Sequence, residues 1–219
     1  STPKPSSAAS DVYKRQRYRF IAKIFWINTY LLLYMSTSTR EKIIQLGDDL
    51  LRKQGFNAFS YADISKPLQI KNAAVHYYFP SKQDLAVAIA LWHKDIFDRF
   101  SQKMANKEPK DKLKTFLNFY HSIHLSEKVD IIGAFATDWH SLEPKVQTEV
   151  QEFTELVINW LSELIQEGLD LGQFRTTQNA RTTALRILSS IFASTQLVRI
   201  TGDHDFTRVK NSILEELIN

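Results

Sequence analysis

The chain has 219 residues, 43% of them hydrophobic and 24% charged, with six glycines, six prolines and no cysteine. That length can hold one or two domains with a substantial core, and the scarcity of glycine and proline suits a helix-rich protein. The lack of cysteine excludes a disulfide framework and thiol chemistry.

The net charge of +4 is unevenly spread. Residues 1–34 carry six basic side chains and one acidic, residues 38–82 seven against four, and residues 83–219 fifteen against nineteen. The high isoelectric point therefore comes mostly from the N-terminal tail. The remainder pairs a basic head with an acidic body, an arrangement that turns the head toward phosphates.

The opening segment is Ser/Pro/Ala-rich, then basic, then apolar from Phe20 to Tyr34 with Lys23, Asn28 and Thr29 interrupting. It has the charge order of a signal peptide but no small-x-small cleavage site, and its apolar run is too short for a bilayer span. Met35-Ser36-Thr37-Ser38 reads as a natural start, so residues 1–34 are expected to be a disordered or non-native extension. Ser38 and Glu41 then form an S-x-x-E cap for a helix from about Thr39 to Gln54, with Ile43, Gly47, Leu50 and Leu51 inward and Gly55 as the stop. Gly47 is small enough to allow close approach of the two-helix unit that follows, and Phe56 and Phe59 are expected beneath its corner.

The informative stretch is Ser60 to Lys82, SYADISKPLQIKNAAVHYYFPSK. Ser60 and Asp63 form another S-x-x-D start. Ile64 and Leu68 lie four apart for burial, and Leu68-Gln69-Ile70 makes a corner. Lys71-Asn72-Ala73-Ala74 opens the following helix with a cation, an amide and two residues of minimal bulk. Such a backbone can approach a groove floor while its polar ends reach base edges. Phe79-Pro80 closes that helix, and Ser81 with Asp84 starts the next.

The run D-I-x-x-x-L-x-I-x-x-A-A-V-H-Y-Y-F-P-S-K-x-D-L resembles the DNA-binding domain of the TetR family of bacterial transcriptional regulators. The resemblance implies an all-α protein. Residues 35–82 would form a three-helix, helix-turn-helix DNA-binding domain, and residues 83–219 a helical effector-binding and dimerisation domain. It implies DNA contacts from Ser60, Tyr61, Lys71, Asn72, Ala73, Ala74, His76, Tyr77 and Tyr78, with Lys82 on phosphate. Two departures stand out. Gln69 occupies a corner position usually held by glycine, which puts a side chain on an unusual backbone angle. Pro67 falls within the preceding helix, which is expected to be short or bent.

Beyond Lys82 the helical period runs through Leu85, Ile89, Trp92, Ile96 and Phe100 to about Lys103, and Asn106 to Pro109 breaks it. Further helices are expected around 113–120, from Ile131 to Trp139, from Lys145 to about Leu171, over 178–201 and over 206–218. No strand pattern or repeat is present. His121, His124, Asp138 and His140 could be considered as metal ligands, but pairs at this spacing are ordinary on amphipathic helices. No metal or other cofactor is expected. No nucleophile–base motif, phosphate loop or dinucleotide fingerprint appears, so catalysis is not expected.

The resemblance further implies an effector pocket, for which Trp92, Phe116, Phe119, Tyr120, His124, Phe135, Trp139 and Trp160 supply aromatic surface and a polar group. It also implies a homodimer built on the last two helices, with Leu185, Leu188, Phe192, Ile213 and Leu217 between the copies. The function expected is a cytoplasmic repressor released from a palindromic double-stranded DNA operator by a small hydrophobic or aromatic effector, without membrane attachment. The alternative is a DNA-binding regulator with no small-molecule ligand, its body serving dimerisation or a protein partner.

Overall fold

The computed structural model describes residues 38–126, 128–202 and 204–218, except for the side chains of His124 and Leu125. Residues 1–34, expected to be an extension, lie outside that range. Nine α-helices are present among the described residues: α1 Thr39–Gln54, α2 Tyr61–Ser65, α3 Asn72–Tyr78, α4 Lys82–Met104, α5 Pro109–Leu125, α6 Ile131–Thr137, α7 Pro144–Asp170, α8 Ala180–Thr201 and α9 His204–Leu217. The chain divides into two compact units between Lys42 and Ile43. In the first, Ser38 caps the start of α1: its N–H donates to the Glu41 carboxylate at 2.8 Å, and its hydroxyl accepts from the Glu41 amide at 3.3 Å.

The other two sequence caps form in the same way. The Asp63 carboxylate accepts from the Ser60 amide at 2.8 Å, and the Asp84 carboxylate from the Ser81 amide at 2.9 Å. Each satisfies a donor that helix geometry leaves orphaned. The helix α2 is short, as expected: it ends at Ser65, two residues before Pro67, and a turn at 66–69 follows. Proline is the reason, since it removes an amide and disfavours helical backbone just before it. Gln69 turns the corner with φ at +54°, and it is the one non-glycine residue with positive φ among the described residues. The Ile70 amide then donates to the Ser65 carbonyl at 3.1 Å, closing the corner.

Ile43, Leu51, Phe56, Phe59, Ile64, Val75 and Phe79 are buried beneath these three helices. Leu85 and Ile89 of α4 join them against Gly47, where a Cβ would sit 3.1 Å and 3.2 Å from their methyl groups. Glycine here allows close approach of α1 and α4. The first turns of α4 therefore pack with the head. The 23-residue α4 gives its first turns to the head and then carries Phe97 into the body core.

Most body helices start and stop where the sequence suggests. Pro144 stands at the first position of α7, which needs no amide there. Asn179 caps α8 through the Thr182 amide at 2.8 Å. Two helices differ: α5 already starts at Pro109 and runs on to Leu125, and α6 ends at Thr137, with Trp139–Ser141 a separate 3-10 turn. The side chain of Asp138 is drawn away from the helix end, accepting from the Phe56 amide at 2.7 Å and from Asn57 at 2.8 Å. The body core is mainly α7 against α4 and α8, with Leu161, Ile165, Phe116 and Ala184 almost without exposure.

Gln69 gives a direct test of the corner. A side chain at positive φ costs about 1 kcal/mol, partly offset because glycine leaves the unfolded chain freer. Gln69→Gly is expected to raise stability in urea by about 0.5–1 kcal/mol, whereas β-branched Gln69→Val should lower it by about 1 kcal/mol or more. Equal midpoints for the three proteins would mean that the corner is not strained.

Candidate DNA-reading face and interior cavity

The helix α3 is anchored by Val75, which is fully buried, and closed by Phe79. Its outer side carries Lys71 as N-cap, then Asn72, Ala73, His76, Tyr77 and Tyr78, all exposed, with Ala74 half-buried. Tyr77 is 81% exposed, unusual for a tyrosine, and packs edge-to-face with Tyr78 at 5.2 Å. Ser65 donates its hydroxyl hydrogen bond to the Asn72 amide oxygen, tying the start of α3 to the end of α2. His76 lies against Tyr61 at 4.7 Å and within 3.4 Å of the Pro80 carbonyl. Ser60 is exposed at the start of α2.

Two residues expected at the duplex are turned inward. Tyr61 is buried and donates to the Phe79 carbonyl at 2.8 Å; burial, with Asp84 nearby, pushes its phenol up to about 12. The Lys82 ammonium donates to the Phe59 carbonyl and sits 4.0 Å and 4.7 Å from the centres of the Phe59 and Phe56 rings. Burial lowers its pKa, with Asp138 and Asp63 opposing the shift. The physical reason in both cases is that the end of α3 and the start of α4 must be fastened to the corner. These side chains do so within the chain.

Behind the head lies a cluster of buried charge. Asp48 on α1 receives His93 Nε2 of α4 at 2.7 Å, Arg52 Nη1 at 3.5 Å and Lys128 Nζ at 3.9 Å. Burial alone would raise the Asp48 pKa; Arg52, His93 and Lys128 outweigh it and hold the carboxyl well below the usual carboxylate range. Arg52 Nε donates to the Val129 carbonyl at 2.8 Å, and the Val129 amide donates back to the Arg52 carbonyl at 3.1 Å. Asp130 follows, capping α6 through the Ile132 and Gly133 amides at 2.8 Å and 3.3 Å. Burial pushes its carboxyl up, against Arg52 and those two amides, and burial likewise raises the Tyr120 phenol well above its ordinary value.

This cluster forms one wall of an interior cavity of about 40 Å³. Phe97 and Phe100 of α4, Phe116, Phe119 and Tyr120 of α5, and Phe153 of α7 supply most of the rest. Of the aromatic residues proposed from sequence, Phe116, Phe119 and Tyr120 reach this cavity. Trp160 stands behind it, 5.4–5.7 Å from the rings of Phe97, Phe100 and Phe116. Trp92 packs on His93 at 5.2 Å, and Phe135 is buried in the core. Trp139 lines a separate, open groove of about 400 Å³ with Ile132, Ala136 and Val150. The side chain of His124 lies outside the described residues. Phe97 and Phe100 have the same helical spacing as the residues chosen, so aromatic periodicity could have found them. Nothing in the spacing of Arg52, His93 and Asp130 marks them as neighbours.

The residues expected between two copies also need revision. Leu188, Ile213 and Leu217 are buried within the chain, and Phe192 is half-buried 5.9 Å from Tyr120. Leu185 remains 42% exposed, and Leu197 and Ile200 farther along α8 are 55% and 87% exposed. The same helical stripe carries Ser189 and Ala193 outward. The packing of α9 against α8 explains the difference, because it covers the turn-by-turn positions that looked like surplus apolar surface. Among the described residues no three His, Cys, Asp or Glu side chains converge as a metal site would require, and no helix is long and apolar enough to cross a membrane. His121 instead stacks on Phe206 at 5.3 Å.

A capped helix-turn-helix joined by one shared helix to an all-helical body defines a class of DNA-binding regulators, and comparison with known proteins agrees. Residues 43–89 match the model for bacterial regulatory proteins of the tetR family, and residues 106–217 match the tetracyclin repressor-like C-terminal domain. The HTH-type transcriptional regulator CymR of Pseudomonas putida is 29% identical over 189 residues, covering 81% of this chain and 88% of its own. A TetR transcriptional regulator from Legionella pneumophila is 30% identical, with a TM-score of 0.75 over 84% of this chain and 98% of its own. A TetR-family regulator from Agrobacterium tumefaciens reaches a TM-score of 0.78 at 23% identity, over 82% and 97% of the two chains. The chain belongs to the TetR family. Its relatives are transcriptional regulators, not enzymes, and it is a transcriptional regulator too.

The buried cluster makes acid stability a readout. The folded pKa of Asp48 lies below its unfolded value of 3.8, so its contribution is complete well above that value and is lost as pH falls toward the folded one. Asp130 has the opposite sign: its raised pKa favours the fold at low pH, and that contribution fades as pH rises through the folded value. Asp48→Asn removes the carboxylate that Arg52 meets at 3.5 Å, at a cost of about 3 kcal/mol at neutral pH. Urea unfolding from about pH 7 down to about pH 3 should show a constant gap between wild type and variant to about pH 5 and a narrowing one below it, as the unfolded chain begins to take up the proton. A gap that stays constant throughout would mean that the Asp48 ion pairs contribute nothing.

Proposed function

We propose that the chain is a cytoplasmic, homodimeric repressor released from a palindromic operator by a small hydrophobic or aromatic effector. The observation that supports this most is the position of the cavity. Its aromatic lining ends on Arg52, a residue of the first helix of the DNA-reading head. An occupant there touches the head directly, so it has the differential contact with two head positions that any ligand-driven shift requires. At about 40 Å³ the cavity holds little more than one water, so an effector must displace a ring. Phe119, 38% exposed at the edge, is the nearest to a movable door. The small volume also favours a second reading, a DNA-binding regulator with no ligand whose body serves only dimerisation.

Lys71, Asn72, Ala73, Ala74, His76, Tyr77 and Tyr78 are the proposed groove and backbone contacts, with Ser60 at the edge. Tyr61 and Lys82 act beneath them as supports. One recognition helix reads only a few base pairs, so specificity calls for a symmetric pair of heads. The stripe of Leu185, Ser189, Ala193, Leu197 and Ile200 on α8 is the proposed isologous contact, replacing the buried Leu188, Ile213 and Leu217.

Selection of an operator from a random duplex pool tests the DNA reading. Asn72→Ala is expected to change the preferred sequence, whereas Lys71→Ala should weaken all duplexes alike and reduce the salt slope by about 1. If Tyr77→Ala, Lys71→Ala and Asn72→Ala all bind as wild type does, α3 is not the reading helix. For assembly, Leu197→Glu is expected to sediment as a folded monomer with operator affinity at least about tenfold weaker. A Leu197→Glu protein that stays dimeric would move the interface elsewhere.

A further inference from the structure

Asn72 is the first residue of α3 and is exposed on the outer side of that helix. One end of its amide is held from behind. Ser65, the last residue of α2 and only 4% exposed, donates its hydroxyl hydrogen to Asn72 Oδ1. The Ile70 amide donates to the Ser65 carbonyl at 3.1 Å, so the corner itself fixes where that hydroxyl stands. Asn72 Nδ2 makes no hydrogen bond among the described residues. Oxygen and nitrogen lie on opposite sides of a planar amide, so an oxygen turned toward a buried hydroxyl leaves the nitrogen on the open side.

The reverse orientation of the amide is the poorer one. With Nδ2 against Ser65 Oγ, the hydroxyl proton is left with the Ala62 carbonyl at 3.5 Å, the outer limit of a hydrogen bond. With Oδ1 there, the proton has a good acceptor and no buried donor goes unmet.

The consequence lies in what α3 can read. Asparagine commonly reads adenine with both amide atoms, the oxygen accepting from N6 and the nitrogen donating to N7. Here the oxygen is engaged behind the reading face, and two N–H donors are presented. Adenine and cytosine set their own exocyclic N–H groups toward such donors. Thymine offers one acceptor beside a methyl group, whereas guanine offers two, N7 and O6, on one edge. We propose that Ser65 makes Asn72 a donor-only reader and that the base it selects is guanine. This rests on α3 being the reading helix and names the base that one of its residues reads. Ser65 is a positioning residue, since it is buried and acts only through Asn72. Lys71 also carries donors alone, but its long stem is not tied to Ser65, so a guanine read by Lys71 is indifferent to a change at Ser65.

The test is operator selection from a random duplex pool with the full chain, in wild type, Ser65→Ala and Asn72→Ala, with Lys71→Ala and Tyr77→Ala alongside. Each half-site is expected to hold one guanine whose preference Asn72→Ala erases. Wild type should favour guanine over adenine there by at least about tenfold. Ser65→Ala releases the amide to turn, and the ratio at that position alone should fall to about threefold or less. Should Ser65→Ala not fold, Ser65→Cys, close in size but a weak donor, serves in its place and should lower the same ratio. Base analogues check the contact in the wild type: hypoxanthine keeps N7 and O6 and should bind as guanine does. 2,6-Diaminopurine carries an amino group in place of O6 and should bind as poorly as adenine. Any other base at the Asn72-dependent position, or a guanine preference that the Ser65 variant leaves untouched, overturns the assignment while α3 stands as the reading helix. If Asn72→Ala, Lys71→Ala and Tyr77→Ala all bind as wild type does, the reading helix is lost and the assignment with it.

Discussion

One buried carboxylate holds together parts of the chain that are far apart in sequence. Asp48 is on the first helix, His93 on the fourth, and Lys128 on the segment before the sixth. A lone carboxylate in that setting would be driven to its neutral form by desolvation, at a cost of several kcal/mol if it stayed ionised. Arg52, His93 and Lys128 together outweigh that penalty, and removing a partner leaves more of it for the others to offset. Reciprocal hydrogen bonds between Arg52 and Val129 extend the cluster into the backbone. The second clasp, Asp138 accepting from the Phe56 backbone amide and the Asn57 side chain, fixes the other end of α6 to the turn that follows α1.

That arrangement ties the head to the body. The head is small, and its core is completed by Leu85 and Ile89 from a helix that belongs equally to the body. A change around α4, α5 or α6 cannot stay local, because packed cores and charge clusters change between discrete arrangements and do not stretch smoothly. The aromatic cavity lies at this junction, with Arg52 on its wall. Whatever enters is in contact with the helix that supports the recognition helix.

The fold was largely legible because it is written in local chemistry. Ser60/Asp63 and Ser81/Asp84 announced two helix starts and Pro67 the shortened α2, while Gly47 announced a close approach whose partner is α4 and not the recognition unit. Each is a short-range effect that needs no knowledge of distant partners. What stayed hidden in the sequence has the opposite property. Lys82 and Tyr61 have the residue types of a DNA contact, but the carbonyls of Phe59 and Phe79 claim them, and that depends on how the corner folds back. Leu188, Ile213 and Leu217 looked like surplus apolar surface until α9 was laid on α8. Arg52, His93 and Asp130 meet across as many as 78 positions of sequence, and no periodicity encodes such a meeting. Aromatic spacing found part of the cavity and could not find its charge.

The central claim is that the head and the body open as one cooperative unit because the Asp48 cluster joins them. Native-state hydrogen exchange tests it most directly, without a ligand or an operator. The Val129 amide, which donates to the Arg52 carbonyl, should exchange with the same opening free energy and denaturant dependence as the buried amides of α1 and α7. In Asp48→Asn the α1 and Val129 amides should separate from α7 and exchange through a smaller, cheaper opening. Independent opening of α1 and α7 in the wild type, with Val129 exchanging as an unprotected amide, would contradict the account.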